Sequence, residues 1–371
     1  MTKYTVQEIL HHTLDDMKLP LHQLKAADKL YFCRTAALGG HTQYCENNHV
    51  VGVWYNSCKH RACPQCRSMA SEEWLQNTRR RLLSCEHHHI VFTIPSQLHG
   101  LWKYNRREMA DILFTSAQDT LKQFSKDKRY LGAMPGMMSV LHTWGRNLSL
   151  HPHLHVLMTH GGLADNGEWV VPKRSILFPA KPVMQVYRAI FIKRVRRLIS
   201  RDELKLPPDL GEQDAIRLLN TQMKRDWVVH FCERYDYADG VAKYLSRYVK
   251  SGPMNNGQLV RVSAGQVVFK YKSHRRQRYE FLRMSEEQFA RRLLEHVPEP
   301  GRPSVRYCGL YNSGAIEKLN VAREELGQDP VEERIVLTGL DYLADRGRVP
   351  ECAKCEARVV RQESIVDLRR R

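Results

Sequence analysis

No stretch of this 371-residue sequence comes near the ~20 consecutive apolar residues that a membrane-spanning helix needs. Its first thirty residues also lack the basic, apolar and small-residue succession of a secretory signal. A cytoplasmic protein without a membrane partner is therefore expected. Internal repeats and low-complexity tracts are missing too, which argues against a solenoid or a long linker. Acidic side chains are scarce beside basic ones, 40 Asp and Glu against 58 Lys and Arg, for a net charge of +18. That excess points to a polyanionic partner, nucleic acid before lipid, because no basic amphipathic anchor stands out. With 42% hydrophobic and 26% charged residues the chain has the composition of a folded protein, and its length suits two or three domains.

The charge is concentrated. Residues 1–84 carry a net of +4 and residues 293–371 a net of −1, leaving +15 on residues 85–292. The same limits separate three textures: a helical and cysteine-rich module (1–84), an α+β domain (85–292) and a C-terminal tail region (293–371). In the first, Ile9, Leu10, Leu14, Met17, Leu21 and Leu24 recur at helical spacing over 5–38, up to Gly39-Gly40. Ser71–Leu83 reads as another helix, with Glu72 and Glu73 at its positive dipole end. In the second, His89–Pro95, Met137–Trp144, His153–Thr159 and Trp169–Val171 read as strands, the middle two joined by a polar turn at Gly145-Arg-Asn147. Helices are predicted over 100–126, 182–204, 212–234 and 238–250, and a β-hairpin over 258–272. The sheet leans antiparallel. The tail after 298 reads as irregular.

Half of the ten cysteines fall within the first 66 residues, which in a cytosolic chain favours metal over disulfides. The spacing is Cys45-x3-His49, then Cys58-x4-Cys63-x2-Cys66. Zinc takes four N or S ligands in a tetrahedron, commonly from two short knuckles. Cys33 and His41 bring the candidates to seven, too many for one ion and enough for two. Lys59, His60, Arg61 and Arg67 beside them suit phosphate contact. Cys352-x2-Cys355 is half a site, with no partner knuckle in the tail.

Nine of the eighteen histidines lie between residues 85 and 160. In His151-Pro152-His153-Leu154-His155 alternate side chains of a strand share a face, so His153 and His155 stand ~7 Å apart and suit a divalent cation. A third ligand is needed. His142 lies on the preceding strand, although a regular hairpin sets it opposite Leu154 and on the other face; His151 and a polar side chain from another element are the rivals. His87, His88 and His89 read as a solvent-exposed strand start. Farther on, Tyr244 and Tyr248 are four apart in a helical segment flanked by Lys243, Arg247 and Lys250. A phenolate can attack a DNA phosphodiester, with a metal and nearby cations offsetting the charge that develops.

In order, the Cys/His module ending in Ser57-Cys58-x4-Cys63-Pro64-x-Cys66, Val91-Phe-Thr-Ile-Pro95, His142-Thr-Trp-Gly145, the His-Pro-His-Leu-His run, Tyr-x3-Tyr and Val305-Arg-Tyr-Cys-Gly-Leu310 resemble the two-tyrosine HUH transposases of bacterial rolling-circle insertion sequences, relatives of the Helitrons. HUH denotes histidine, hydrophobic residue, histidine, here His153-Leu154-His155. The resemblance covers roughly residues 30–312. It implies an HUH endonuclease domain with a central antiparallel sheet flanked by helices. It also implies cleavage and joining of single-stranded transposon ends through 5′-phosphotyrosine links, with Mg²⁺ or Mn²⁺ at the histidines and one or two structural Zn²⁺ in the N-terminal module. Tyr244 and Tyr248 would be the nucleophiles. The partners implied are transposon-end DNA, single-stranded and hairpin or duplex, and target DNA, in a nucleoid-associated bacterial protein that acts as monomer or homodimer. One alternative is a plasmid replication initiator or relaxase with the same nicking chemistry. Another is a zinc DNA-binding protein without catalysis.

Two basic stretches suit the DNA backbone. Residues 187–206 carry seven basic against two acidic side chains, including Arg194, Arg196 and Arg197. Residues 270–292 carry eight against three, including Arg275, Arg276 and Arg278. Tyr187, Phe191, Tyr271, Tyr279 and Phe281 are interleaved with them, and those that are exposed can stack on unpaired bases.

Overall fold

The computed structural model describes residues 3–173, 177–236, 240, 252–273 and 276–365. Thr5 opens α1 (Val6–Thr13) with a capping box: its hydroxyl accepts the Glu8 N–H, and the Glu8 carboxylate accepts the Thr5 N–H. The chain restarts after Pro20 as α2 (Leu21–Tyr31), so the helical periodicity of 5–38 is carried by two short helices rather than one. A hairpin of β1 (Gly40–Cys45) and β2 (Val50–Tyr55) follows, then α3 (Ser68–Arg79).

The central strands come next: β3 (His87–Thr93), then α4 (His99–Tyr104) and α5 (Arg106–Lys126), then β4 (Gly136–Trp144) and β5 (Leu150–Thr159). β6 (Gly162–Leu163) and β7 (Trp169–Val170) form a small hairpin of their own, apart from the central sheet. The helices α6 (Ala180–Ile199) and α7 (Glu212–Met223) lead to β8 (Val229–Tyr235). Helix was expected to continue to 234. Instead α7 stops at Met223, and the β-branched and aromatic run after Trp227 pairs with β3. Then β9 (Leu259–Ser263), β10 (Gln266–Lys272) and β11 (Tyr279–Ser285) make a three-stranded meander capped by α8 (Glu286–Glu295).

The tail corrects its irregular reading. It contains β12 (Val305–Gly309), α9 (Ile316–Glu325), α10 (Gly339–Ala344) and β13 (Val359–Ile365). β12 lies antiparallel on β4 and completes a five-stranded antiparallel sheet in the order β12-β4-β5-β3-β8. β13 pairs with β1, so among the described residues the last strand lies beside the first. Gly309 closes β12 at φ +59°, where a Cβ would sit 1.9 Å from the Pro135 carbonyl oxygen; only glycine fits.

Alternation gives the central sheet two different faces. Ile90, Phe92, Leu154, Val156 and Met158 point to one side and are buried against α4, α5, α6 and α7. Met138, Val140 and Leu157 point to the other, against Leu75 of α3 and Leu319 of α9. A third core joins α1 and α2 to the inner face of the β9–β11 meander and to α8, through Ile9, Leu30, Phe269 and Phe289. Among the described residues no helix is long and apolar enough to cross a membrane.

His87–His89 are buried, not exposed. Their ring nitrogens meet partners within the protein. His87 donates from Nδ1 to the Cys85 carbonyl at 2.8 Å, and its Nε2 accepts the Tyr311 hydroxyl at 2.6 Å. Burial pushes this imidazole down to about 4, against a partial opposing effect of the Cys85 carbonyl. The neutral form is the folded one, so its contribution is complete above the ordinary value of 6.5 and is lost as pH falls toward 4. The full shift corresponds to about 3 kcal/mol. In urea titrations at the two pH values, His87→Gln protein should lose about 3 kcal/mol less than wild type. Equal losses would contradict a neutral buried His87.

Candidate functional site

Register brings the histidines together. β4 and β5 pair with His142 opposite His153 and Val140 opposite His155, but Trp144 lies opposite Leu150. β5 therefore holds one extra residue near the turn: continued from the Trp144–Leu150 pair the ladder would set His142 opposite Pro152, on the other face, and the bulge sets it opposite His153 instead, not opposite the expected Leu154. The ligand nitrogens of the three all lie within 4.8 Å of one another. Leu154 between them points into the opposite core. His151, the rival third ligand, is exposed on the bulge, and its ring lies 4.9 Å from that of His153.

Each imidazole is set for one role. His153 donates from Nδ1 to the His151 carbonyl at 2.6 Å, which leaves Nε2 as the donor atom for a metal. His155 Nδ1 lies 2.8 Å from Nε2 of His89 on β3. Leaving Nε2 of His155 for a metal puts its proton on Nδ1, which then donates to His89. Burial, reinforced by mutual repulsion and by Arg61, holds His142 well below the usual imidazole range. Burial likewise holds His155 well below it and His153 at about 4. All three are neutral at pH 7, as metal ligation requires. Across the hairpin turn, buried His296 at the end of α8 meets the Thr143 hydroxyl at 3.2 Å and the Leu148 carbonyl at 3.1 Å.

The thiols form two further clusters, grouped otherwise than spacing suggests. Cys33, Cys58, Cys63 and Cys66 come together, as do Cys45, His49, Cys352 and Cys355, each set with ligand atoms within 4.8 Å. His41 joins neither; its Nδ1 lies 3.3 Å from the Asn56 side-chain oxygen. The missing partner of Cys352-x2-Cys355 is thus the Cys45/His49 knuckle, brought near by the β1–β13 pairing. A tetrahedral ion with ~2.3 Å bonds to sulfur holds its sulfurs ~3.8 Å apart. The Cys58–Cys66 and Cys33–Cys63 pairs stand at 3.6 Å and Cys45–Cys355 at 3.7 Å. In the first cluster the neighbouring thiols pull Cys66 down by donating to it, and push Cys58 and Cys63 up. Four thiolates on one site repel, so a soft divalent cation is the group that lets them all ionise. Both clusters suit zinc.

Two regions of the chain match known families: residues 136–318 the one described as "Putative transposase" and residues 5–94 the "Transposase zinc-binding domain". The chain is 33% identical over 312 residues to the "Putative transposase y4qJ" of Sinorhizobium fredii, covering 82% of this chain and 78% of that protein. It is 30% identical over 335 residues to the "Transposase for insertion sequence element IS801" of Pseudomonas savastanoi pv. phaseolicola, covering 86% and 79%. The chain belongs to the IS91/IS801 family of transposases. No solved structure matches it.

In this transposase the zinc-binding loop and the histidine triad are neighbours. Leu148, at the tip of the β4–β5 hairpin, is buried in one core with Cys33, Ala62 and Cys63. Of the expected DNA contacts, Arg194 pairs with Asp119 of α5 and Arg196 with Asn220 of α7, and Arg197 is exposed on the same helix. All three ride on α6, across the sheet from the triad. Arg276 and Arg278 are exposed beside β11. Lys243, Tyr244, Arg247, Tyr248, Lys250 and Arg275 lie outside the described residues. His89 escaped sequence reading because its partner is 66 residues away; only the pairing of β3 with β5 reveals it.

Two measurements check this arrangement. The Cys352→Ser, Cys355→Ser protein should hold one zinc per chain by elemental analysis where wild type holds two, and retention of both would dissolve the second cluster. His89→Phe should weaken Mn²⁺ binding in calorimetry by roughly 10–100-fold at unchanged zinc content. Wild-type Mn²⁺ affinity would show that His89 does not orient His155.

Proposed function

We propose that this transposase cuts and rejoins single-stranded transposon ends through covalent phosphotyrosine intermediates, with Tyr244 and Tyr248 as nucleophiles. The observation that carries this reading is the triad of neutral imidazoles on one sheet face, His142 and His155 buried and His153 half-buried. A divalent metal held there would polarise the scissile phosphate and offset the charge gathering on its oxygens. Harder ions such as Mg²⁺ or Mn²⁺ are the proposed occupants, and zinc is assigned to the cysteine clusters.

The chain around the tyrosine segment is consistent with that role. Tyr235 ends β8 in the central sheet, and Gly252 follows the tyrosine segment in sequence. A Cβ on Gly252 would come within 2.6 Å of the Ala62 carbonyl oxygen, so this residue abuts the zinc-binding loop one residue from Arg61. A tyrosine oxygen attacks phosphorus, the bond to the 3′ oxygen breaks, and the released 3′-hydroxyl takes up a proton while the 5′ phosphate stays on the tyrosine. A 3′-hydroxyl attacking such a link restores a phosphodiester and frees the tyrosine. Two tyrosines allow donor and target links to be held in turn, and membership of a transposase family favours this outcome over plasmid replication or conjugation.

Incubating the zinc-loaded protein with Mn²⁺ and labelled end oligonucleotide should give a denaturation-resistant adduct. Tyr244→Phe with Tyr248→Phe should abolish it, and His153→Ala with His155→Ala should abolish metal-dependent cleavage while most DNA binding remains. Adducts that survive the double tyrosine change would overturn the nucleophile assignment. No adduct from wild type would favour a DNA-binding protein without catalysis.

A further inference from the structure

The β9–β11 meander has one greasy face and one that nothing among the described residues covers. Val267, Phe269 and Met284 are buried against Phe289 and Leu293 of α8. On the outer face, register sets Lys272 opposite Tyr279, Lys270 opposite Phe281, and both Arg283 and Arg261 opposite Val268. Tyr279 is 64% exposed and Phe281 63%. They are two residues apart on one strand, so their rings stand ~7 Å from each other on the same side. Of the five aromatics interleaved with basic residues, Tyr187 and Phe191 are fully buried in the main core, and these two stand outermost.

The company they keep identifies the occupant. Lys270, Lys272, Arg261 and Arg283 are all exposed, and alternation puts no carboxylate on that face. Glu280 lies on the other side of the strand, where it accepts the Tyr271 hydroxyl at 2.8 Å. Two open rings among four cations fit a ligand that offers flat apolar surfaces and a run of negative charge together. Single-stranded DNA does so; a duplex hides the faces of its bases. The position is also right. Arg146, in the β4–β5 turn, donates to the Lys272 carbonyl at 3.1 Å, so the Lys272–Tyr279 end of the meander abuts the hairpin that carries His142 and His153.

We propose that the outer face of β9–β11 is a stacking platform for the unpaired strand of the transposon end. Tyr279 and Phe281 each take a base, and Lys270, Lys272, Arg261 and Arg283 follow the phosphates toward the triad. The proposal rests on the single-strand reading of the function, but its test needs no cleavage. Anisotropy titrations of the full-length, zinc-loaded protein without added Mg²⁺ or Mn²⁺ would use a fluorescent end oligonucleotide, single-stranded and as duplex. Tyr279→Ala and Phe281→Ala should each weaken single-strand binding about 10-fold or more and leave duplex binding within about 2-fold. Tyr279→Phe should bind as wild type. Lys270→Gln with Lys272→Gln should flatten the salt dependence of single-strand binding by about 0.7 per lost phosphate contact. Unchanged single-strand affinity in the double alanine variant would overturn the platform, as would an equal loss for duplex. Loss of single-strand affinity in a protein whose wild type forms no adduct would uphold the platform while removing the phosphotyrosine chemistry.

Discussion

The constraint on which this molecule depends is the register of β4 against β5. Side chains alternate with a period of two, so a slip of one residue would turn His153 and His155 into the helical layer and Leu154, Val156 and Met158 out of it. Burying those three apolar side chains stabilises the observed register by ~1.5–3 kcal/mol each, more than any loop contact supplies. The bulge beside His151 then does locally what the pattern forbids globally: it places His142 on the metal-facing side without disturbing the core beneath. Contacts around the turn hold that irregularity, with His296 bridging Thr143 and the Leu148 carbonyl and Leu148 itself packed beside the first cysteine cluster.

Polar groups buried in one sheet are costly unless each has a partner. For the His87–His89 run this fold meets that condition by pairing imidazoles with one another and with backbone or phenol groups: His89 with His155, His88 with His160, His87 with Tyr311. The outcome is a neutral sheet interior close to a strongly basic exterior. Arg61, in the cysteine loop, presses the same way on His142, so the zinc-binding module contributes to the electrostatics of the triad as well as to its support.

Periodic features were legible in the sequence. The strands His89–Pro95, Met137–Trp144 and His153–Thr159, the helix over 100–126 and the HUH pair all rest on alternation or helical spacing, which are local properties of the chain. What escaped depends on distant pairing. The extra residue in β5 cannot be read from composition, and it decides the place of His142. The two cysteine clusters are sorted by which strands lie together, so knuckle spacing alone united Cys45 with Cys63 and left Cys352 without a partner. The run after Trp227 was misread because a partly buried strand and an apolar helix end look alike until β3 is known to lie beside it.

The pairing of β13 with β1 has a consequence for how the chain is made. A ribosome releases His49 a full 303 residues before Cys352, so Cys45 and His49 wait a long time for Cys352 and Cys355, the other half of their cluster. Until then the N-terminal hairpin shows an open β1 edge and an incomplete pair of ligands, both of which invite wrong associations. A chain interrupted before Cys352 would therefore remain in that exposed state. The fold makes synthesis of the Cys352–Cys355 segment and of β13 a condition for closing the β1–β2 hairpin.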